Sequence, residues 1–232
     1  MIYQEFWKER IALPTYRVVD AARYAGTTAQ TIGNWQRLVS GASAIGHRDQ
    51  RQHLSYLQLI EVGVVAAMRK GGVPLNAVRS ARDYLAKEMN AEFPFAQYEF
   101  KTDGKSLILD SEAVDKSVKD KLIVVSESGQ YAWKEILQSL LRAFEYPSDG
   151  NGPVVKWRVA GAEEPIIIDP RISFGSPVVR GIPTWMLKER WESGEGLRDI
   201  AEDYGLEPSD VMAALRFEKT DIDIERPNQW VH

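Results

Sequence analysis

A chain of 232 residues with 44% hydrophobic and 27% charged residues has the composition of a globular protein and room for one large domain or two small ones. It contains no cysteine, which excludes disulfides, iron–sulfur clusters and thiolate zinc sites, and its three histidines are too scattered for a metal motif, so no cofactor is expected. The net charge of −4 conceals an asymmetry, because residues 1–90 sum to +5 and the remainder to −9; a phosphate-binding surface is therefore expected in the N-terminal part.

No apolar run approaches the roughly 20 residues of a membrane span. The N-terminal residues show neither the basic flank nor the apolar stretch of a secretory leader, and a cytoplasmic location is expected. Over residues 18–89 the apolar spacing is helical, with interruptions at 26–28, 41–49 and 71–74 that divide it into four or five short helices.

Residues 16–37 are the most informative stretch. Ala21, Ala22 and Ala25 give a first helix a close-packing face, Gly26 supplies a turn, and Thr28 can cap a second helix whose Ile32 and Trp35 face inward. That is the spacing of a helix-turn-helix, in which the first helix braces the second while the second offers its outer face to the major groove. Gln30, Thr31, Asn34 and Arg37 fall on the outer face, where Gln and Asn can address adenine edges and Arg can take guanine or phosphate. An ordinary helical hairpin with a polar outer face has the same spacing.

The segment resembles the MerR-type winged helix-turn-helix, in which a short strand precedes the first helix and a basic hairpin follows the second. Residues 46–53 occupy the wing position. The resemblance implies that Arg48 and Arg51 meet phosphate with His47 or His53 nearby. Gly33 departs from the usual pattern at a cost of about 1 kcal/mol against Ala, and leaves room for close backbone approach. The long dimerisation helix and effector domain of MerR regulators have no counterpart, which disfavours an inducer-binding protein.

Further along, Ser55 and Gln58 have capping-box spacing before a helix that should end at Gly71-Gly72. Residues 97–110 and 122–133 are rich in strand formers around Asp103-Gly104 and Ser128-Gly129 turns, and residues 132–144 return to helical spacing. The Pro/Gly-rich run at 147–153 is the strongest turn signal in the chain and suggests domains of 1–145 and 146–232. Strand-like runs follow at 154–159 and 166–168, then three helical segments punctuated by Gly194, Gly196 and Gly205. The expected fold class is mainly α with short β hairpins (α+β): an N-terminal winged helix-turn-helix and a small C-terminal helix-turn-helix domain.

Residues 166–184, with Gly175, Gly181 and Pro183 shaping a hook and Thr184 placed to cap a helix, lead into 194–206 and 210–218. This order is similar to a small helix-turn-helix domain of VapB-type antitoxins, which are encoded beside PIN-like RNase toxins; the resemblance spans about residues 145–218. It implies a non-enzymatic, DNA-binding antitoxin of a type II, VapBC-like toxin–antitoxin system. Such a protein neutralises its cognate PIN-like RNase toxin and represses its own operon as a homodimer on double-stranded operator DNA.

Glu207, Asp210 and Glu218 against the single cation Arg216 would repel phosphate at the last helix, so dimerisation or partner docking is expected there. Beyond it, alternating Ile222 and Ile224 could add a strand to a toxin, with Arg226 and Trp230 as further anchors. A frayed or internally packed terminus is the competing reading of that tail. A stand-alone MerR-like regulator without a toxin partner fits the same residues. An enzyme does not, because the glycines of 41–46 are followed by His47 and Arg48 where a phosphate loop needs Lys and Ser/Thr, and the acidic pair Glu202-Asp203 lies on one helix.

Overall fold

The computed structural model describes residues 6–49, 51–88, 90–97, 100–102, 107–109, 142–147 and 152–220. The chain divides into two compact units, Met1–Val155 and Lys156–His232.

In the first unit the helices are α1 (Phe6–Arg10), α2 (Val18–Tyr24), α3 (Ala29–Gln36), α4 (Tyr56–Lys70), α5 (Leu75–Glu88) and α6 (Pro94–Gln97). The middle of this series is organised by α4, which is apolar nearly all round and therefore buried on every side over residues 56–65. Its start is local chemistry, as expected: the Ser55 hydroxyl accepts from Gln58 N–H at 3.2 Å while the Gln58 side chain accepts from Ser55 N–H at 2.9 Å. Its end at Gly71-Gly72 also follows from the sequence, with Gly72 at φ +92 and Val73 N–H closing on the Met68 carbonyl at 3.0 Å.

Around α4 the core is filled by Ile32, Ile45, Leu54, Leu59, Ile60, Met68, Leu85 and Phe95, all fully buried. Each such side chain contributes about 1.5–3 kcal/mol by leaving water. A reciprocal backbone pair, Tyr16 N–H to Leu54 carbonyl at 2.9 Å and Leu54 N–H to Tyr16 carbonyl at 2.7 Å, ties the entry to α2 to the entry to α4.

Strands β1 (Phe100–Thr102) and β2 (Leu107–Leu109) pair antiparallel with Phe100 opposite Leu109, within the run read as strand-forming. The strand expected at 122–133 lies outside the described residues, as does 132–141 of the helix expected at 132–144. At the end of that helix Arg142 and Ala143 form a turn and β3 (Phe144–Glu145) begins. Val154 N–H then bonds the Ala96 carbonyl at 2.8 Å and Val155 N–H the Glu145 carbonyl at 2.8 Å.

In the second unit, β4 (Lys156–Arg158), β5 (Ile166–Ile168), β6 (Pro177–Val179) and β7 (Ile182–Pro183) form an antiparallel meander, with Trp157 opposite Ile168 and Ile166 opposite Val179. Three helices follow, α7 (Thr184–Glu192), α8 (Leu197–Tyr204) and α9 (Pro208–Phe217). Ile166 and Val179 join Leu187, Trp191, Ile200, Leu206, Val211 and Leu215 in one core. The α8–α9 turn is made by Gly205 at φ +62, a left-handed position that suits a residue without Cβ. Thr184, expected as a cap, is instead the first residue of α7; its buried hydroxyl reaches the Pro177 carbonyl at 3.4 Å and the Glu218 carboxylate at 2.6 Å, which joins β6, α7 and the end of α9. Among the described residues, no helix is long and apolar enough to cross a membrane.

Candidate nucleic-acid interface

The first unit presents a short helix pair. Ala21 and Ala22 of α2 are buried, as are Ile32 and Trp35 of α3, so the small side chains of one helix admit the large ones of the other. Gly26 at φ +63 makes the turn, and the Thr28 hydroxyl caps α3 by accepting from Thr31 N–H at 3.1 Å. At the start of α2, Arg17 donates to both oxygens of Asp20 at 2.6 and 2.9 Å.

The outer face of α3 holds Gln30 and Asn34, both exposed and one helical turn apart, with exposed Gly33 beside Asn34 and exposed Arg37 just past the helix end in extended conformation. Thr28 is also exposed. Thr31 departs from the expected set: its hydroxyl lies 2.8 Å from that of Thr28, so it belongs to the cap and is only half exposed.

The expected wing is a braced loop. Gln52 N–H closes on the Asp49 carbonyl at 3.2 Å and Arg51 sits at φ +70, which makes a tight turn with Arg51 and His47 exposed. Among the described residues of 46–53 no strand pair forms; a separate two-residue reversal, with Ser40 at φ +53 and Gly41 at φ +84, joins Val39 to Ala42. Arg48, expected to meet phosphate, is half-buried, with Nε 3.4 Å from the Gln36 side-chain oxygen and Nη1 on the Gln52 carbonyl. The Gln58 side-chain amide donates to the His47 carbonyl and that of Gln36 to the Gly46 carbonyl at 3.4 Å. Arg48 thus spends one nitrogen on the loop itself and one on the end of α3.

Behind the loop lies a group that sequence periodicity hides. Glu61 occupies a core position of α4 and is 0% exposed; its carboxylate accepts from Gly46 N–H at 2.5 Å and from Arg82 Nε of α5 at 3.1 and 3.2 Å. Burial pushes its pKa up to about 7, against the opposing pull of Arg82 and of the Gly46 N–H. A second unforeseen residue, Arg79 of α5, donates from Nη2 to the Asn34 carbonyl at 3.1 Å. One sequence signal for this face exists: no Asp or Glu occurs from Ala21 through Arg48, while Arg23, Arg37 and Arg48 do.

In the second unit the acidic residues expected to repel phosphate at the last helix are partly neutralised within the fold. Two of the three carboxylates at α9 are spent internally, Asp210 on Arg180 Nε at 2.5 Å and Glu218 on Thr184. Of the cations that could compensate, Arg180, Lys188, Arg190 and Arg198, Arg190 binds Glu195 and Asp203, which raise its pKa, and Lys188 lies 3.6 Å from Glu192, while Arg198 is exposed. Ile222, Ile224, Arg226 and Trp230 lie outside the described residues.

Fold and site together define a two-unit α+β protein with a small antiparallel sheet and an acid-free helical face on its N-terminal unit. Residues 166–217, which run from β5 through α9, match the family model described as "Protein of unknown function (DUF433)". The chain is 25% identical over 227 residues to the candidate antitoxin VapB45 of Mycobacterium tuberculosis (strain ATCC 25618 / H37Rv), an alignment covering 89% of this chain and 94% of that protein. The fold is that of the crystal structure of Rv2018 from Mycobacterium tuberculosis, at 24% identity and a TM-score of 0.64, covering 89% of this chain and 99% of the other.

Proposed function

We propose that the chain is a DNA-binding antitoxin of a type II toxin–antitoxin system, non-enzymatic and autorepressing, whose first unit reads double-stranded operator DNA as a helix-turn-helix with the braced loop of residues 46–53 in the wing position. The observation that carries the DNA reading is the face of α3, where exposed Gln30, Asn34 and Arg37 stand within a run free of acidic residues. Thr28, Thr31, His47, Arg48 and Arg51 support it from the cap and the loop. Arg37 and Arg51 are the cations best placed to neutralise phosphate, because Arg48 braces the loop. The likeness to a candidate antitoxin over 89% of the chain supports the toxin–antitoxin setting, with a PIN-like RNase as the toxin. Toxin contact is assigned to Ile222, Ile224, Arg226 and Trp230, because apolar residues alternating with acidic ones suit strand addition.

The deciding measurement is affinity for a duplex carrying the region upstream of the chain's own gene, across a salt series. Arg37→Ala is expected to weaken binding and to lower the log–log salt slope by about one, as loss of a single phosphate contact does. An unchanged affinity and slope would overturn the DNA role. A homodimer in light scattering accords with paired half-sites. Deleting residues 219–232 is expected to leave operator binding intact while abolishing rescue from the co-expressed neighbouring toxin; full rescue by the truncated chain moves the toxin contact elsewhere.

A further inference from the structure

Arg79 and Asn34 are 45 residues apart in sequence, yet the Arg79 guanidinium closes on the Asn34 carbonyl at 3.1 Å. The place of that carbonyl gives the contact its meaning. The last four carbonyls of a helix have no partner within it, and α3 is poorly equipped to seal its own end. It has eight residues, contains Gly33, and runs directly into an extended Arg37 without a left-handed glycine cap.

Two outside donors do the sealing: Ala44 N–H takes the Trp35 carbonyl at 2.8 Å and Arg79 takes that of Asn34. A cation at this end also opposes the partial negative charge of the helix C-terminus. Arg79 Nε is buried with no hydrogen-bond partner, so the polar contact of this side chain is made by its Nη end, against α3. Asn34 carries both halves of the arrangement: its backbone is held by Arg79 and its side chain faces outward on the proposed reading face.

We infer that Arg79 is a positioning residue for base reading: by sealing the last turn of α3 it holds the Asn34 side chain at the depth and angle needed to meet a base edge. This rests on the DNA-reading role proposed above for α3. Arg79 acts through Asn34: its bond is to the Asn34 backbone carbonyl, which Asn34→Ala keeps, so the two substitutions converge on one base contact made by the Asn34 side chain.

The test is a double-mutant cycle in the full chain. It reads the ratio of affinities for the duplex carrying the gene's upstream region and for a duplex of scrambled sequence, with salt slopes measured alongside. Asn34→Ala is expected to lower that ratio on the order of tenfold, as loss of one bidentate base contact does. Arg79→Met, which keeps the aliphatic packing, is expected to lower it by a similar factor, and the double variant to be no worse than Asn34→Ala alone. The salt slope of Arg79→Met should equal that of the parent, and Arg79→Lys, which restores a cation and donor at the helix end, should recover most of the ratio. Multiplying losses in the double variant, or a slope lowered by about one, make Arg79 an independent phosphate contact and overturn the inference. So does an Arg79→Lys variant that folds without regaining discrimination. If Asn34→Ala itself leaves the ratio unchanged, it is the reading role of α3 that fails.

Discussion

Glu61 and Arg82 meet inside the first unit at 3.1 Å, with the carboxylate side chain 0% exposed and the guanidinium side chain 10% exposed. Because the same carboxylate also receives the Gly46 N–H, one buried charge joins α4, α5 and the start of the loop that carries His47, Arg48 and Arg51. Removing one partner of a buried pair costs up to about 3–5 kcal/mol when the remaining charge stays ionised. Glu61, its pKa already about 7 with Arg82 beside it, takes up a proton instead, so Arg82→Leu is expected to destabilise the first unit by less than that at neutral pH. The check is its denaturant midpoint at neutral pH.

The same pair gives the fold a pH dependence of defined sign. Burial raises the Glu61 pKa from its ordinary 4.5 to about 7, so the folded chain holds this proton more tightly than the unfolded one. Its contribution to stability is complete below about 4.5 and is lost as pH rises through about 7. The melting temperature should therefore fall between pH 5 and pH 8, and Glu61→Gln should flatten that part of the profile. A Gln variant that keeps the parent's slope would assign the dependence to other groups.

Gly46 is placed against Glu61 and Phe93 so closely that a Cβ there would lie 2.6 and 2.8 Å from the Phe93 ring and 3.2 Å from the Glu61 oxygen. Gly46→Ala must displace that ring or pull the loop off its carboxylate, and overpacking of this kind costs about 1–3 kcal/mol. Chemical denaturation measures the loss. Faster amide exchange at residues 47–49 is expected alongside it, and an unaffected protein would show that the loop is not anchored at Glu61.

Much of the helical frame was legible because its causes lie within four residues of one another. Ser55 with Gln58, Thr28 with Thr31, Gly71-Gly72 and Gly205 each act through a neighbour along the chain, and the structure places them where spacing predicts. The failures involve residues whose partners are distant in sequence. Arg48 reads as a free loop cation until Gln36 is folded beside it. Thr184 reads as a cap until Pro177 and Glu218 arrive. Glu61 stands out of an apolar run with nothing local to say that Arg82 answers it, and Arg79 lies on a helix that spacing alone does not connect to α3. Gln30 and Asn34 face outward in sequence and structure alike, because helical period alone decides that.

In the second unit, Asp210 is 5% exposed and accepts from Arg180 Nε at 2.5 Å and from the Glu207 N–H at 3.4 Å at the start of α9. Asp210→Ala removes an acceptor from the helix entry, a loss of about 0.5–2 kcal/mol. Arg180 adds little, since its side chain is 64% exposed and water screens the pair. Thermal melting of Asp210→Ala should show the larger loss and that of Arg180→Gln the smaller. The reverse order would mean that the ion pair, not the helix entry, stabilises this corner.

Gly33 offers the sharpest test of the reading face, because folding and binding should respond to it in opposite directions. It lies in helical conformation within α3, exposed, and a Cβ built there meets nothing within 4 Å. Nothing in the fold therefore requires glycine. An exposed helical glycine is less favourable than Ala by about 1 kcal/mol, so Gly33→Ala should raise the melting temperature. The missing side chain matters only to something approaching from outside, and Gly33 stands next to Asn34 and one turn before Arg37 on the proposed DNA face. If base edges or phosphates come close to the α3 backbone at this point, a methyl group there is expected to weaken operator binding several-fold in the same variant that is more stable. Melting and binding on one preparation of Gly33→Ala separate the cases. A stabilised variant with parental affinity shows that DNA does not approach α3 at Gly33, whereas a destabilised one shows that the space beside this residue is occupied in the folded chain.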